Sequence, residues 1–149
     1  MAKDESDIEI LKLAVAREVD AYKVFTRLAE RVEDQQLKEF FKALAGEELE
    51  HKSRLEFELM KLGVVVPSFQ EITAEELSEY DTGRSLVDLS YKEILLFAID
   101  KERKSLRLYV ELAAMAKYKS SREMLISLAE NEAMHEARFE AQYNSLMQD

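Results

Sequence analysis

The sequence predicts an all-α chain: an antiparallel four-helix bundle made of two similar helical hairpins joined by a long crossover. Three observations lead there. Only 3 glycines and 1 proline interrupt 149 residues, far too few breakers for a chain rich in turns or strands. Apolar residues recur in steps of three and four along four long segments, the period of one helix face. The whole pattern returns after 84 residues, so that Ile10/Ile94, Ala14/Ala98, Leu28/Leu112, Ala29/Ala113, Leu44/Leu128, Ala45/Ala129, Arg54/Arg138 and Glu56/Glu140 are identical pairs.

The elements follow in order. Ser6-Asp7-Ile8-Glu9 reads as a capping box that opens the first helix, expected over about 6–33. Its stripe is Leu11, Ala14/Val15, Glu18, Tyr22, Phe25, Ala29 and Val32. Glu33-Asp34-Gln35-Gln36 is a short polar connection. The second helix, about 36–62, carries Leu37, Phe41, Leu44, Glu48, His51, Leu55 and Leu59 on its inner face, and Gly63 is placed to end it. The crossover spans 63–89. Val64-Val65-Val66-Pro67 reads as extended, Thr73-Ala74-Glu75-Glu76 as the cap of a short helix, and Glu71, Glu75, Glu76, Glu79, Asp81 and Asp88 face Arg84 alone. A connection this long suits a crossover along the length of a bundle. Ser90-Tyr91-Lys92-Glu93 is a second capping box, opening a helix over about 90–117 with Leu95, Ala98, Glu102, Leu106, Tyr109, Ala113 and Ala116 inward. Ser120 caps the fourth helix, about 120–147, whose stripe is Leu125, Leu128, Glu132, His135, Phe139, Tyr143 and Leu146. One domain, 1–149, is expected at this length.

Each inner stripe breaks at a polar residue, and the breaks share one spacing. Glu18 precedes Glu48 by 30 residues, and Glu48-Leu49-Glu50-His51 reads Glu-x-x-His; Glu102 precedes Glu132 by 30, and Glu132-Ala133-Met134-His135 reads Glu-x-x-His. The chain's only 2 histidines lie in these motifs. A single Glu-x-x-His is common by chance, and a lone helical Glu is usually a solvated surface acid. Six residues on inner stripes at one period are the ligand set of a dinuclear metal site in a four-helix bundle. No Lys or Arg is expected on the inner stripes, so four carboxylates there need two divalent cations. Glu48 and Glu132 are the natural bridging pair, with Glu18 and His51 completing one ion and Glu102 and His135 the other. Oxygen-rich ligation with one imidazole per ion suits iron, or manganese, better than structural zinc. Glu47 and Asn131, each preceding a bridging Glu, are expected to orient His135 and His51 respectively. Tyr109, seven residues after Glu102, reads equally as a partner of a ligand carboxylate and as ordinary core. Phe25, Phe41, Leu44, Leu128 and Phe139 read as packing.

Other classes are argued against. A net charge of −10 repels nucleic acid, and no apolar run approaches the ~18 residues of a membrane span. With 0 cysteines, disulfides and thiolate metal sites are out. The charged start, Met1 to Asp7, shows no signal peptide, and a cytoplasmic location is expected.

With these residues in hand, the chain resembles the rubrerythrin and ferritin-like diiron family over about Ile8 to Leu146. Ala14-Val15-Ala16-Arg17-Glu18, Leu28-Ala29-Glu30 and Leu44-Ala45-Gly46-Glu47-Glu48-Leu49-Glu50-His51 carry the resemblance. It implies a ferritin-like fold, a site of two iron ions, reduction of H2O2 or reaction with O2, and a homodimer. Members often carry a four-cysteine rubredoxin domain. None is present here, so electrons are expected from a separate rubredoxin-type donor. Peroxidase-type members also place an extra Glu where this chain has Ser105, which leaves a symmetric ligand set like that of bacterioferritin. Oxidoreductase and ferroxidase readings both follow from the resemblance. Phe40, Leu96 and Phe97 are further apolar positions that serve either a dimer interface or extra core.

Overall fold

The computed structural model describes residues 2–65 and 90–148. Those residues form four helices and no strand: α1 (Ala2–Arg31), α2 (Gln35–Lys61), α3 (Tyr91–Met115) and α4 (Lys119–Gln148). They fall into two compact units. One is Leu11–Asp88, the hairpin of α1 and α2; the other is Met1–Ile10 with Leu89–Asp149, the hairpin of α3 and α4 together with the start of α1. Most of the expected crossover, with the Thr73 helix and its acidic run, lies outside the described residues.

The first hairpin turns within three residues. Val32 N–H still reaches the Leu28 carbonyl at 3.0 Å, and Asp34 then caps α2 by accepting from Leu37 N–H at 2.8 Å. An Asp in this place satisfies one of the free amides that every helix start exposes. Gln35 and Gln36, expected in the connection, therefore already belong to α2. Lys38 reaches back across the turn and donates to the Ala29 carbonyl at 2.9 Å, supplying a cation where the dipole of α1 ends negative. Below the turn the two helices meet through Phe25 and Phe41, fully buried and stacked with ring centroids 6.0 Å apart. The far end of α2 closes as expected at Gly63, whose φ of 87° suits glycine. Gly63 N–H bonds the Met60 carbonyl at 3.0 Å and Val64 N–H the Leu59 carbonyl at 3.1 Å, the bond pair that satisfies the last carbonyls of a helix.

The second hairpin keeps the plan and changes the parts. Ser90 forms its expected capping box: Glu93 N–H donates to the Ser90 hydroxyl at 3.2 Å and Ser90 N–H to the Glu93 carboxylate at 3.3 Å. The turn after α3 carries no acid of its own, and Ser120 is not its cap. Helix α4 already begins at Lys119, one residue earlier. The free amides are taken instead by Asp7 of α1, a fully buried side chain whose two oxygens accept from Lys117 N–H at 2.8 Å and Tyr118 N–H at 2.9 Å. This also corrects the expected start of α1. The helix opens at Ala2 rather than at Ser6, so Ser6 lies inside it and is not its cap, while Asp7 serves a distant turn. On the carbonyl side of the same turn, Arg122 donates to Ala116 at 3.3 Å and Lys117 at 2.9 Å. Arg122 stands 84 residues after Lys38 and does the same work.

Along the outside of this hairpin Arg103 of α3 reaches Glu136 and Glu140 of α4, both at 2.9 Å. The hydrogen bond to Glu140, with the Glu136 charge beside it, pushes the guanidinium above its ordinary pKa, so it stays charged throughout. The group is exposed, so its main effect is on which residues of α3 and α4 lie opposite one another.

Two stability outcomes follow. Asp7→Asn keeps one acceptor but turns an N–H2 towards the other buried amide; thermal unfolding followed by circular dichroism should show a loss of about 1–3 kcal/mol. Gly46 sits inside α2 with nothing within 4 Å of where a Cβ would stand. Gly46→Ala should therefore raise stability by about 0.5–1 kcal/mol in the same measurement.

Candidate metal centre

Each hairpin brings together one set of the residues singled out by spacing. In the first, Glu48 and His51 lie three apart on the inner face of α2, nearly one turn from each other, and Glu18 faces them from α1. His51 Nδ1 is 3.6 Å from Glu18 Oε2 and 3.9 Å from Glu48 Oε1. In the second, His135 Nδ1 of α4 is 3.7 Å from Glu102 Oε2 of α3 and 4.0 Å from Glu132 Oε2. All six side chains are buried. Within each trio a ligating atom from every residue lies within 4.8 Å of the other two.

These separations decide what the trios can do. At 3.6–4.0 Å the imidazole and carboxylate atoms are too far apart to hydrogen-bond one another. They are close to the roughly 3–4 Å that separates two ligands each about 2.0–2.2 Å from a shared ion. One polar atom of each residue, Glu18 Oε2, Glu48 Oε1, His51 Nδ1, Glu102 Oε2, Glu132 Oε1 and His135 Nδ1, is shielded from solvent and makes no hydrogen bond in the structure; all but Glu132 Oε1, whose other oxygen faces His135, are the atoms turned towards their trio partners. Two carboxylates and a neutral imidazole carry two negative charges per trio. That is an unstable arrangement in hydrocarbon and a good one around a divalent cation. The donor set therefore fits a metal ion in each hairpin: hard oxygens in the majority, one nitrogen, no sulfur.

The residues around the trios match the expectations less evenly. Phe25, Phe41, Leu44, Leu128 and Phe139 are core, as read from their stripes. Tyr109 is buried to 1% and occupies the position of Phe25 in the first hairpin; Phe41 has Leu125 as its counterpart, so the ring stack has no equivalent there. Ser105, one turn after Glu102, is buried as well. Glu47 and Asn131 are half-buried. The expectation that no Lys or Arg reaches the inner stripes fails at Lys101, which is buried beside Glu102 and engaged in an interaction of its own. The buried face of α3 is wider than a single stripe, taking in Lys101, Glu102 and Ser105 together. Stripe counting missed it for that reason. It also missed Glu58, buried at the end of α2 with Lys61 Nζ 3.0 Å away. Asp7, read only as part of the Ser6 capping box, is missed because nothing nearby in sequence points to residues 117 and 118.

Comparison with known proteins agrees with this reading. Residues 9–143 match the family model of rubrerythrin. A solved structure of a hypothetical protein from Pyrococcus furiosus is similar at a TM-score of 0.69 and 24% identity, covering 95% of this chain and 90% of that one. That likeness shows the fold. No curated protein matches the chain. Among the described residues, no helix is long and apolar enough to cross a membrane.

If the trios hold metal, removing it should leave like charges facing each other in the core. Chelator-treated protein should melt below protein in excess Mn2+, by about 2.7 kcal/mol when free metal is 100 times its dissociation constant. Glu18→Gln removes one of the buried charges. In parallel melts it should raise the metal-free transition, lower the metal-loaded one and so narrow the gap.

Proposed function

The chain belongs to the rubrerythrin family, and on that premise we propose that it is a non-haem diiron oxidoreductase reducing hydrogen peroxide or O2 in the cytoplasm. The observation that carries the proposal is the pair of buried trios, each with two carboxylates and an imidazole turned inward and each at the same place in its hairpin. The repeated spacing supports reading them as one Glu4His2 centre. Glu48 and Glu132 serve both ions, Glu18 and His51 complete one, and Glu102 and His135 complete the other.

Two iron ions, when bound, supply one electron each to the O–O bond of the oxidant. The protein residues do the rest. Four anionic carboxylates favour the more highly charged oxidised ions over the reduced ones, which pulls the centre towards oxidation. They also offer the nearest buried oxygens that can take or give a proton as the O–O bond breaks. Apolar neighbours, among them Leu44, Leu55, Leu128 and Phe139, are buried along the same helix faces; they exclude bulk water and strengthen every charge interaction inside. Each imidazole has a second nitrogen left for an orienting acceptor, the role proposed for Glu47 towards His135 and Asn131 towards His51. Electrons to re-reduce the centre are proposed to come from a separate rubredoxin-type protein.

One observation favours a second reading. Ser105 stands buried one turn beyond Glu102, where an additional carboxylate would make the ligand set unequal, so the two hairpins contribute identical trios. A symmetric site suits a ferroxidase or iron-handling role, in which iron is the substrate and leaves after oxidation.

Anaerobic loading with two Fe2+ per chain, then rapid mixing with H2O2 or O2 while near-UV absorbance is followed, separates the readings. Oxidation much faster with H2O2, and repeated after re-reduction, supports the peroxidase. Faster oxidation by O2 with release and renewed uptake of iron supports the ferroxidase. Stoichiometric iron uptake with neither oxidant producing an absorbance change removes both.

A further inference from the structure

Glycine weakens a helix interior, yet Gly46 sits within α2 with nothing inside 4 Å of where its Cβ would stand. No turn and no close neighbour calls for it. What it leaves open is a groove of about 460 Å³ between α1 and α2, a volume in the range of small-molecule sites. Ala29 and Ala45 are buried in the groove's floor. Tyr22, Thr26 and Glu30 line it at every fourth residue of α1, and Lys38, Lys42 and Gly46 at every fourth residue of α2. The stack of Phe25 on Phe41 sets the level of the two helices. Thr26 follows Phe25 and Lys42 follows Phe41, so a hydroxyl and an ammonium stand at one height. One step of four residues away, about 6 Å along the axis, Tyr22 stands opposite the bare backbone of Gly46. One step the other way, Lys38 is already given to the Ala29 carbonyl, with Glu30 beside it. Among the described residues, none hydrogen-bonds or pairs with the Tyr22 hydroxyl, the Thr26 hydroxyl or the Lys42 ammonium.

We propose that this groove binds a small aromatic carboxylate, its ring in the slot between Tyr22 and Gly46 and its acid group on Lys42 and Thr26. Each part of the ligand answers one feature of the groove. One wall of the slot has no side chain, and a ring packed at about 3.5–4.0 Å from that backbone fills the space that a Cβ leaves empty. The phenol of Tyr22 supplies an aromatic partner for it. Lys42 brings the positive charge and Thr26 a hydroxyl donor for the carboxylate oxygens. Glu30, one level beyond, repels a carboxylate and so fixes the acid end at Lys42. Levels about 6 Å apart call for a short chain between ring and acid, as in 3-phenylpropanoate. The second hairpin is an internal control. The residues 84 positions after Tyr22, Thr26, Lys42 and Gly46 are Leu106, Val110, Ile126 and Glu130, and all four line the equivalent groove. A hairpin of this plan therefore folds without the phenol, the hydroxyl, the ammonium or the open slot. The inference does not depend on metal in either trio.

With 3 glycines in the chain, the Gly46 amide is easily followed in 1H–15N spectra of the full-length protein. Titration with 3-phenylpropanoate should move it, saturating with a dissociation constant on the order of 1 mM, while the Glu130 amide at the equivalent place stays still. Hexanoate lacks the ring and 3-phenylpropan-1-ol lacks the charge; each should bind weaker by about fivefold or more. In saturation-transfer measurements, Lys42→Met should weaken 3-phenylpropanoate by about fivefold or more and leave the alcohol unchanged. Gly46→Leu fills the slot and should abolish binding. Its thermal melt should lie at or above that of the unaltered chain, because the side chain meets no neighbour and leucine is the better helix former. A variant that melts normally and loses the ligand has lost the site and not the fold; if Gly46→Leu melts early, Lys42→Met and the three probes still decide. No movement of the Gly46 amide at about ten times that constant, hexanoate or the alcohol binding as well as 3-phenylpropanoate, or undiminished binding by a well-folded Gly46→Leu would overturn the inference.

Discussion

A carboxylate in hydrocarbon costs several kcal/mol unless a cation or a set of donors meets it, and each hairpin of this protein buries two beside an imidazole. Almost everything else about the helices follows from accommodating that cost. The buried faces break at the six residues of the trios, and besides them at Asp7, Glu58, Lys101, Ser105 and Ser121. The Glu and His of α2, and again of α4, stand three apart so that one helix face presents both. The remaining Glu comes from the neighbouring helix of the same hairpin, which the short turn holds in register. Without a cation each trio sets like charges against each other in hydrocarbon; a bound divalent cation would turn that repulsion into attraction. Metal binding there would add directly to folding stability.

The turns that fix this register meet one requirement by two routes. A tight connection between antiparallel helices leaves carbonyls at the end of one and amides at the start of the next. In both hairpins a cation from the first turn of the second helix, Lys38 or Arg122, takes the carbonyls. The amides are handled locally by Asp34 in the first hairpin and by the distant Asp7 in the second. The second route ties the start of α1 to the far turn of α3 and α4. The α3–α4 hairpin therefore depends on residues that come 110 positions earlier in the chain.

Comparing equivalent positions separates what the fold requires from what it merely permits. The six residues of the trios and the buried small residues Ala14, Ala29 and Ala45, with Ala98, Ala113 and Ala129, are the same in both halves. The stacked rings of Phe25 and Phe41 give way to Tyr109 and Leu125, so that contact fills volume in one hairpin without being demanded by the other.

The sequence by itself determined the helical class, the duplicated hairpin plan and the six residues of the two trios. All of these rest on periodicity, and a period is a local property that survives without knowledge of the partner surface. The capping box at Ser90 and the glycine stop at Gly63 were legible for the same reason: their hydrogen bonds close within five residues. Tertiary structure alone decided the rest. Asp7 has no visible role beside the capping pattern of Ser6 until the turn at Lys117 and Tyr118 is folded against it. Lys101 reads as a surface lysine until the buried face of α3 proves wider than one stripe. Ser120 reads as a cap until α4 starts a residue sooner. In each case the side chain's partner, or the width of the face it lies on, is set by packing between segments far apart in the chain, and no local pattern encodes which distant group will satisfy a given donor or charge.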